Sequence, residues 1–207
     1  MIIVFANQKG GCGKTTNCIQ FANYLAELGF QLIVLDLDFQ QSISDRRNED
    51  ENTYDNKPKY EIIKTEISNV SKLIGDFGSL ESGHLLIDLP GKIDDETMFP
   101  ILQNADIIIT PFKYDKLTMD STGFFIKLLS HLNTKAKLFF MPNNIKAGVR
   151  YEGKEQIITI LKTLGNVTSE IPARASMERI NTLEISTECI NVVKDAYDFV
   201  IKEGKIN

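Results

Sequence analysis

The chain has 207 residues, of which 43% are apolar and 25% charged, enough to bury the core of an ordinary globular domain. Those values exclude collagen, a coiled coil and a wholly disordered chain. Its 28 acidic and 23 basic residues leave a net charge of −5; the acidic excess lies in residues 1–104 and the rest is slightly basic, which leaves room for a local basic face.

Short apolar runs alternate with helical patterns along the chain, the signature of a mostly parallel sheet with helix crossovers. Strands are expected at 2–6, 31–35, 60–64, 84–89, 106–110 and 137–141, with a weaker one at 167–171. The run Ile2-Ile3-Val4-Phe5 does not alternate and reads as buried on both faces. A first helix should start at Lys14 or Thr15 and stop before Gly29, because Cys18, Phe21, Ala22, Leu25 and Leu28 recur at three- and four-residue spacing. Further helices are expected over 94–104, 117–132, 152–164, 177–184 and 187–203. Residues 42–59 hold one isoleucine and one tyrosine among charges and amides, and are expected to form a solvated helix end and a mobile loop. The fold class expected is α/β, a single P-loop NTPase domain over 1–207 with a doubly wound, mostly parallel sheet flanked by helices.

Cys12, Cys18 and Cys189 form no Cys-x-x-Cys, and His84 and His131 are too few for a zinc site. Both histidines are expected to be structural. The opening MIIVFANQKGG lacks the basic start and length of a signal peptide, and no stretch approaches the roughly 18 apolar residues of a membrane span. A cytoplasmic protein is expected.

The segment after the first strand carries the chemistry: Asn7-Gln8-Lys9-Gly10-Gly11-Cys12-Gly13-Lys14-Thr15-Thr16. A glycine-rich turn between a strand and a helix lets backbone N–H groups converge on phosphate oxygens, and the helix N-terminus adds partial positive charge. Lys14 is placed to neutralise β- and γ-phosphates and the Thr15 hydroxyl to ligate Mg²⁺. His84-Leu85-Leu86-Ile87-Asp88-Leu89-Pro90-Gly91 is an apolar strand ending in an aspartate. Asp88 there suits Mg²⁺ held through water, and Pro90-Gly91 a turn that senses the γ-phosphate.

The ordinary Walker A pattern needs glycine at position 8, where this chain has Gln8, and a second lysine, Lys9, lies five residues before Lys14. The loop resembles that of the deviant Walker A ATPases of the ParA/MinD group. The resemblance implies an ATP·Mg²⁺-dependent sandwich homodimer in which Lys9 reaches the partner's phosphates. Leu35-Asp36-Leu37-Asp38-Phe39-Gln40-Gln41-Ser42 looks like the family's switch segment, usually Asp-x-Asp-Pro-Gln. By that likeness Asp38 orients the attacking water and Asp36 lies near the Mg²⁺ shell, with Phe39 in place of the proline. Nucleotide contacts are expected from Gly10, Gly11, Cys12, Gly13, Lys14, Thr15 and Thr16, Cys12 being a small spacer rather than a nucleophile. Asn143-Asn144-Ile145-Lys146 does not fit the guanine motif Asn-Lys-x-Asp. It resembles the family's asparagine segment, so Asn143 and Pro172, within Ile171-Pro172-Ala173-Arg174, are expected to hold adenine.

The resemblance runs from residue 1 to about 185 and is closest to small ParA-type partition ATPases. It implies slow, partner-stimulated hydrolysis, binding of nonspecific double-stranded DNA by the dimer, association with the nucleoid and a small centromere-binding, ParB-like partner. The final helix is amphipathic but balanced in charge, so no membrane role is expected. From Lys127 to Arg179 there are nine basic and four acidic residues, a net of +5; Lys146, Arg150, Lys154, Arg174 and Arg179 are the candidate DNA contacts. The alternative is a nucleotide-dependent adaptor or protein-positioning ATPase of the same family, MinD-like or conjugation-associated, with little or no DNA role; the Phe39 departure motivates it.

Overall fold

The computed structural model describes residues 1–37, 42–78, 83–91, 96–132 and 134–207. Eight strands form one sheet in the order β3-β2-β4-β1-β5-β6-β7, with β8 beside β6, and every pairing described is parallel. The strands are β1 (Ile2–Phe5), β2 (Leu32–Asp36), β3 (Glu61–Lys64), β4 (His84–Asp88), β5 (Ile107–Phe112), β6 (Lys137–Ile145), β7 (Asn166–Val167) and β8 (Ile171–Pro172). Seven α-helices connect or follow them: α1 (Lys14–Glu27), α2 (Ser42–Thr53), α3 (Ile67–Gly78), α4 (Phe99–Asn104), α5 (Lys116–His131), α6 (Lys154–Leu164) and α7 (Thr187–Gly204).

The unbroken apolar strands feed two cores, one on each face. Ile3 and Phe5 of β1 pack with α1 and α7, through Phe21, Leu25, Val193 and Tyr197. Val4 and Ala6 face the other way, onto Ile101, Leu102 and Phe125 of α4 and α5. Period-two side-chain direction makes a single run such as Ile-Ile-Val-Phe serve both layers. Chain direction reverses about β1: α1 carries the chain across β4 to β2, whereas α4 returns it across β1 to β5. Ligand crevices of open α/β sheets lie at the carboxyl ends of strands beside such a switch point.

Two expectations need correction and one element was not foreseen. Residues 42–53 form a twelve-residue helix, more than the helix end expected there, and 54–59 are irregular; Ile43 is the helix's one buried apolar side chain. Its buried face is instead Ile43, Arg47 and Asp50, at helical spacing, with Arg47 and Asp50 buried as polar groups. Residues 177–184 are not an α-helix. A 3-10 turn, Ala175–Glu178, is followed by an irregular stretch in which Asn181 Oδ1 accepts the amides of Leu183 and Glu184 at 2.9 Å each. Such side-chain turns compete directly with helix hydrogen bonds. The helix α3 went unforeseen, yet Ile67, Val70, Leu73, Ile74 and Phe77 hold helical spacing against the core. Smaller differences are the extension of β6 to Ile145, which puts Asn143 inside the strand, and the helix expected over 94–104, whose described part is a 3-10 turn at Glu96–Met98 and then α4.

Candidate nucleotide site

Register places the acidic groups together. Phe5, the last residue of β1, is paired with Asp88 of β4, and Asp88 with Asp36 of β2. Both carboxylates are buried at the sheet edge where the glycine loop begins. Thr15 Oγ1 donates to Asp88 Oδ2 at 2.6 Å, and Asp36 Oδ2 accepts the Ser44 amide and hydroxyl at 2.9 Å each. A hydroxyl and a carboxylate in contact are a Mg²⁺ donor set for an ion that takes its remaining ligands from water and phosphate. Among the described residues no cluster of three His, Cys, Asp or Glu could hold a metal by itself.

The loop is closed to a side chain at Gly13, whereas Gly10 and Gly11 face open space. Gly13 caps α1 at φ 95° with no side-chain cap, so the amides of the first helical turn are left for a ligand. A Cβ on Gly13 would lie 2.1 Å from Asn143 Nδ2, and one on Gly91 would lie 3.2 Å from Gly10 N and Cα. Lys14 is buried, and its Nζ donates to the Lys9 carbonyl at 3.0 Å. That carbonyl also accepts Cys12 Sγ at 3.2 Å. Burial pushes the Cys12 thiol pKa up, against the pull of Lys14, which agrees with a spacer rather than a nucleophile.

Side chains from distant elements brace this loop. Asn143 Nδ2 donates to the Cys12 carbonyl at 2.9 Å, and Asn17 Nδ2 to the Gly13 carbonyl at 2.8 Å. Asn17 Oδ1 in turn accepts the Tyr197 hydroxyl of α7 at 3.0 Å. Asn7 Nδ2 reaches the Pro111 carbonyl at 2.9 Å and Thr122 Oγ1 at 3.0 Å. A cleft of about 150 Å³ opens beside the loop, lined by Gly13, Thr16, Lys113, Asn143, Pro172 and Arg174 among others.

The expected residues therefore fall into three groups. Gly13, Lys14, Thr15, Thr16, Asp36, Asp88, Asn143 and Pro172 gather at one end of the sheet, while Asp38 and Phe39 lie outside the described residues. Lys146, Arg150, Arg174 and Arg179 are exposed, Arg174 also lining the nucleotide cleft, and Lys154 Nζ sits 2.6 Å from Glu170 Oε1 and over the Tyr114 ring. Lys113, Ser44, Asn17, Tyr197, Met177 and Glu178 were not anticipated. Lys113 directly follows β5, and that position at a strand's carboxyl end is the signal that could have found it.

A family model described as "AAA domain" matches residues 1–77. Over 38 residues the chain is 58% identical to the chromosome-partitioning ATPase Soj of Thermus thermophilus; the stretch covers 18% of this chain and 15% of Soj. A plasmid partition protein of Borrelia burgdorferi B31, solved bound to AMPPNP, is 20% identical and covers 98% of both chains at a TM-score of 0.79. The cell division protein MinD of Aquifex aeolicus is 18% identical and covers 97% of both chains at 0.72. At these identities the two solved structures establish a common fold over nearly the whole chain, and the fold expected from the sequence is borne out.

Proposed function

We propose that this chain, a P-loop protein of the ParA/MinD type, is a Mg²⁺-dependent ATPase whose nucleotide state sets its assembly. The observation that carries the reading is the Thr15–Asp88 contact of 2.6 Å beside a glycine loop in which Gly13 has no room for a side chain. Bound ATP supplies the phosphoanhydride to be cleaved. Lys14 contributes a buried positive charge at the loop and the α1 amides contribute donors, together stabilising negative charge that develops there. Asn143 and Pro172 border the adenine. Asp38 positions the attacking water, and Lys9 acts across a sandwich dimer on the partner's phosphates.

With two sites shared across one interface, dimerisation depends on the γ-phosphate. The dimer binds nonspecific duplex DNA, a ParB-like partner stimulates a slow hydrolysis, and the cycle positions a plasmid, chromosome or other mobile element at the nucleoid. Support comes from the partition proteins among its relatives and from the exposed Lys146, Arg150 and Arg179. The pairing of Lys154 with Glu170 and the place of Arg174 in the cleft favour, as a second reading, a protein-positioning ATPase or adaptor that makes little use of DNA.

The test is equilibrium ATP binding and sedimentation of the wild type and Lys14→Ala, followed by binding of Asp38→Ala to random duplex DNA with ATP, ADP or no nucleotide at two salt concentrations. ATP binding and dimerisation lost in Lys14→Ala are expected; both intact would overturn the ATPase reading. ATP-only, salt-sensitive DNA binding supports the partition cycle, and none in any state leaves the protein-positioning reading.

A further inference from the structure

Among the described residues a second cleft opens beside the first, at the start of α1. The first holds Asn143 and Pro172; the second, of about 240 Å³, lies between the first half of α1, α2 and the stretch after the 3-10 turn, with Thr15, Ile19, Arg46 and Ile180 in its walls. Thr16, Met177 and Glu178 line both and form the ridge between them. Arg46 is engaged on its own side, Nη1 donating to the Ile180 carbonyl at 2.5 Å. Glu178 is exposed, and among the described residues no hydrogen bond or ion pair engages its carboxylate.

We propose that Glu178 reads the ribose hydroxyls of the bound nucleotide, and so selects ribonucleotides over deoxyribonucleotides. This rests on the nucleotide reading above. A nucleotide with its phosphates in the loop and its base against Asn143 and Pro172 has only its sugar between them, and the ridge borders that gap. The other ionised groups lining the first cleft, Lys113 and Arg174, carry the sign that a triphosphate attracts. A carboxylate repels phosphate, so an acid in this ring is unfavourable for affinity unless it gains a donor from the ligand. The vicinal hydroxyls of ribose are such donors, and their bonds to a carboxylate are charge-assisted. Acidic residues read ribose hydroxyls in the same manner in dinucleotide-binding α/β folds. Met177, half-buried beside Glu178, offers an apolar surface for the sugar ring.

The experiment is equilibrium binding of ATP and 2′-deoxy-ATP to the wild type, Glu178→Ala and, as a charge control, Glu155→Ala on exposed α6. The wild type and Glu155→Ala should prefer ATP about tenfold, or ~1.4 kcal/mol. In Glu178→Ala the two nucleotides should bind within about twofold of each other, mainly through weaker ATP binding. A preference that persists in Glu178→Ala, or an equal weakening of both nucleotides, overturns the ribose role while leaving the ATP site intact. Failure of the folded wild type to bind either nucleotide overturns the nucleotide reading itself, and the two failures are thereby distinguished.

Discussion

Replacing Gly13 by alanine tests whether the glycine loop is closed by Asn143. Two costs follow from the geometry. Alanine at φ 95° occupies left-handed backbone and costs ~1–2 kcal/mol. Its Cβ would also sit 2.1 Å from Asn143 Nδ2, so that side chain must swing away and give up its bond to the Cys12 carbonyl. Losing that bond and leaving its buried partners unmatched costs a further ~1–2 kcal/mol. Gly13→Ala should therefore destabilise the nucleotide-free protein by about 2–4 kcal/mol. In an Asn143→Ala background that collision is absent and the backbone strain remains, with a 3.2 Å approach to Asn17 Nδ2, so the same substitution should cost about 1–2 kcal/mol. The coupling of ~1–2 kcal/mol is measurable as a double-mutant cycle from urea midpoints at constant m-value. Equal costs of Gly13→Ala in the two backgrounds would refute the reasoning, because the collision would then contribute nothing.

Arg47 donates from Nε and Nη2 to Thr182 Oγ1 and O at 2.9 and 2.8 Å and from Nη1 to the Tyr60 carbonyl at 2.9 Å, all in buried surroundings. Arg47→Ala should cost about 3 kcal/mol, or a fall in Tm of roughly 6–12 °C. Glu51→Ala, which removes a half-exposed partner 3.9 Å away, should cost under ~0.5 kcal/mol in the same thermal scan. His84 is buried, its Nδ1 has no partner among the described residues, and burial pushes its pKa down, as does the nearby terminal amine, against a bond with the Asn207 backbone. The unfolded state then binds the proton first, so stability is full above about pH 6.5 and falls as pH drops towards the folded value. Chemical denaturation at pH 7 and pH 5.5 should show this fall in the wild type and a flatter dependence in His84→Leu; identical slopes would exclude His84 as the cause.

The parts legible in the sequence were those in which one run of residues makes one element. The strands β1, β2 and β4 are unbroken apolar runs, and the loop from Lys9 to Thr16 is contiguous, so Lys14, Thr15 and Asp88 could be placed together. Asn143 and Pro172 came only through the family likeness, because nothing local distinguishes an asparagine that closes a glycine loop from one in an ordinary turn. The braces were not legible at all. Tyr197 reads as core, yet its hydroxyl supports Asn17 across 180 residues of sequence. Lys154 and Arg174 read as candidate DNA contacts, and only the fold shows that Glu170 pairs with one and that the other borders the cleft. The full extent of the 42–53 helix was missed for a related reason: a search for apolar periodicity passes over a face whose buried members include an arginine and an aspartate.

That helix also explains why the two ends of the site depend on one another. With twelve residues and no apolar stripe beyond Ile43, α2 is too short and too polar to be stable alone. Its order comes from its anchors. Ser44 holds Asp36 at one end, while Arg46 bonds the Ile180 carbonyl and Asp50 Oδ2 accepts the Thr182 amide at 2.7 Å. Residues 180–184 are themselves irregular and are fixed by the same partners and by Asn23, whose Nδ2 reaches the Asn181 and Glu184 carbonyls at 2.8 and 2.9 Å. Beyond Ile43 and Leu183 the two segments bury little apolar surface of their own, and the bonds between them couple their order. The Met177–Glu178 ridge immediately precedes that unit, and the Asp36 carboxylate is held by its first turn. Displacement of α2 therefore disturbs the acidic edge of the sheet and the wall of the clefts together, although the two are separated by more than 130 residues of sequence.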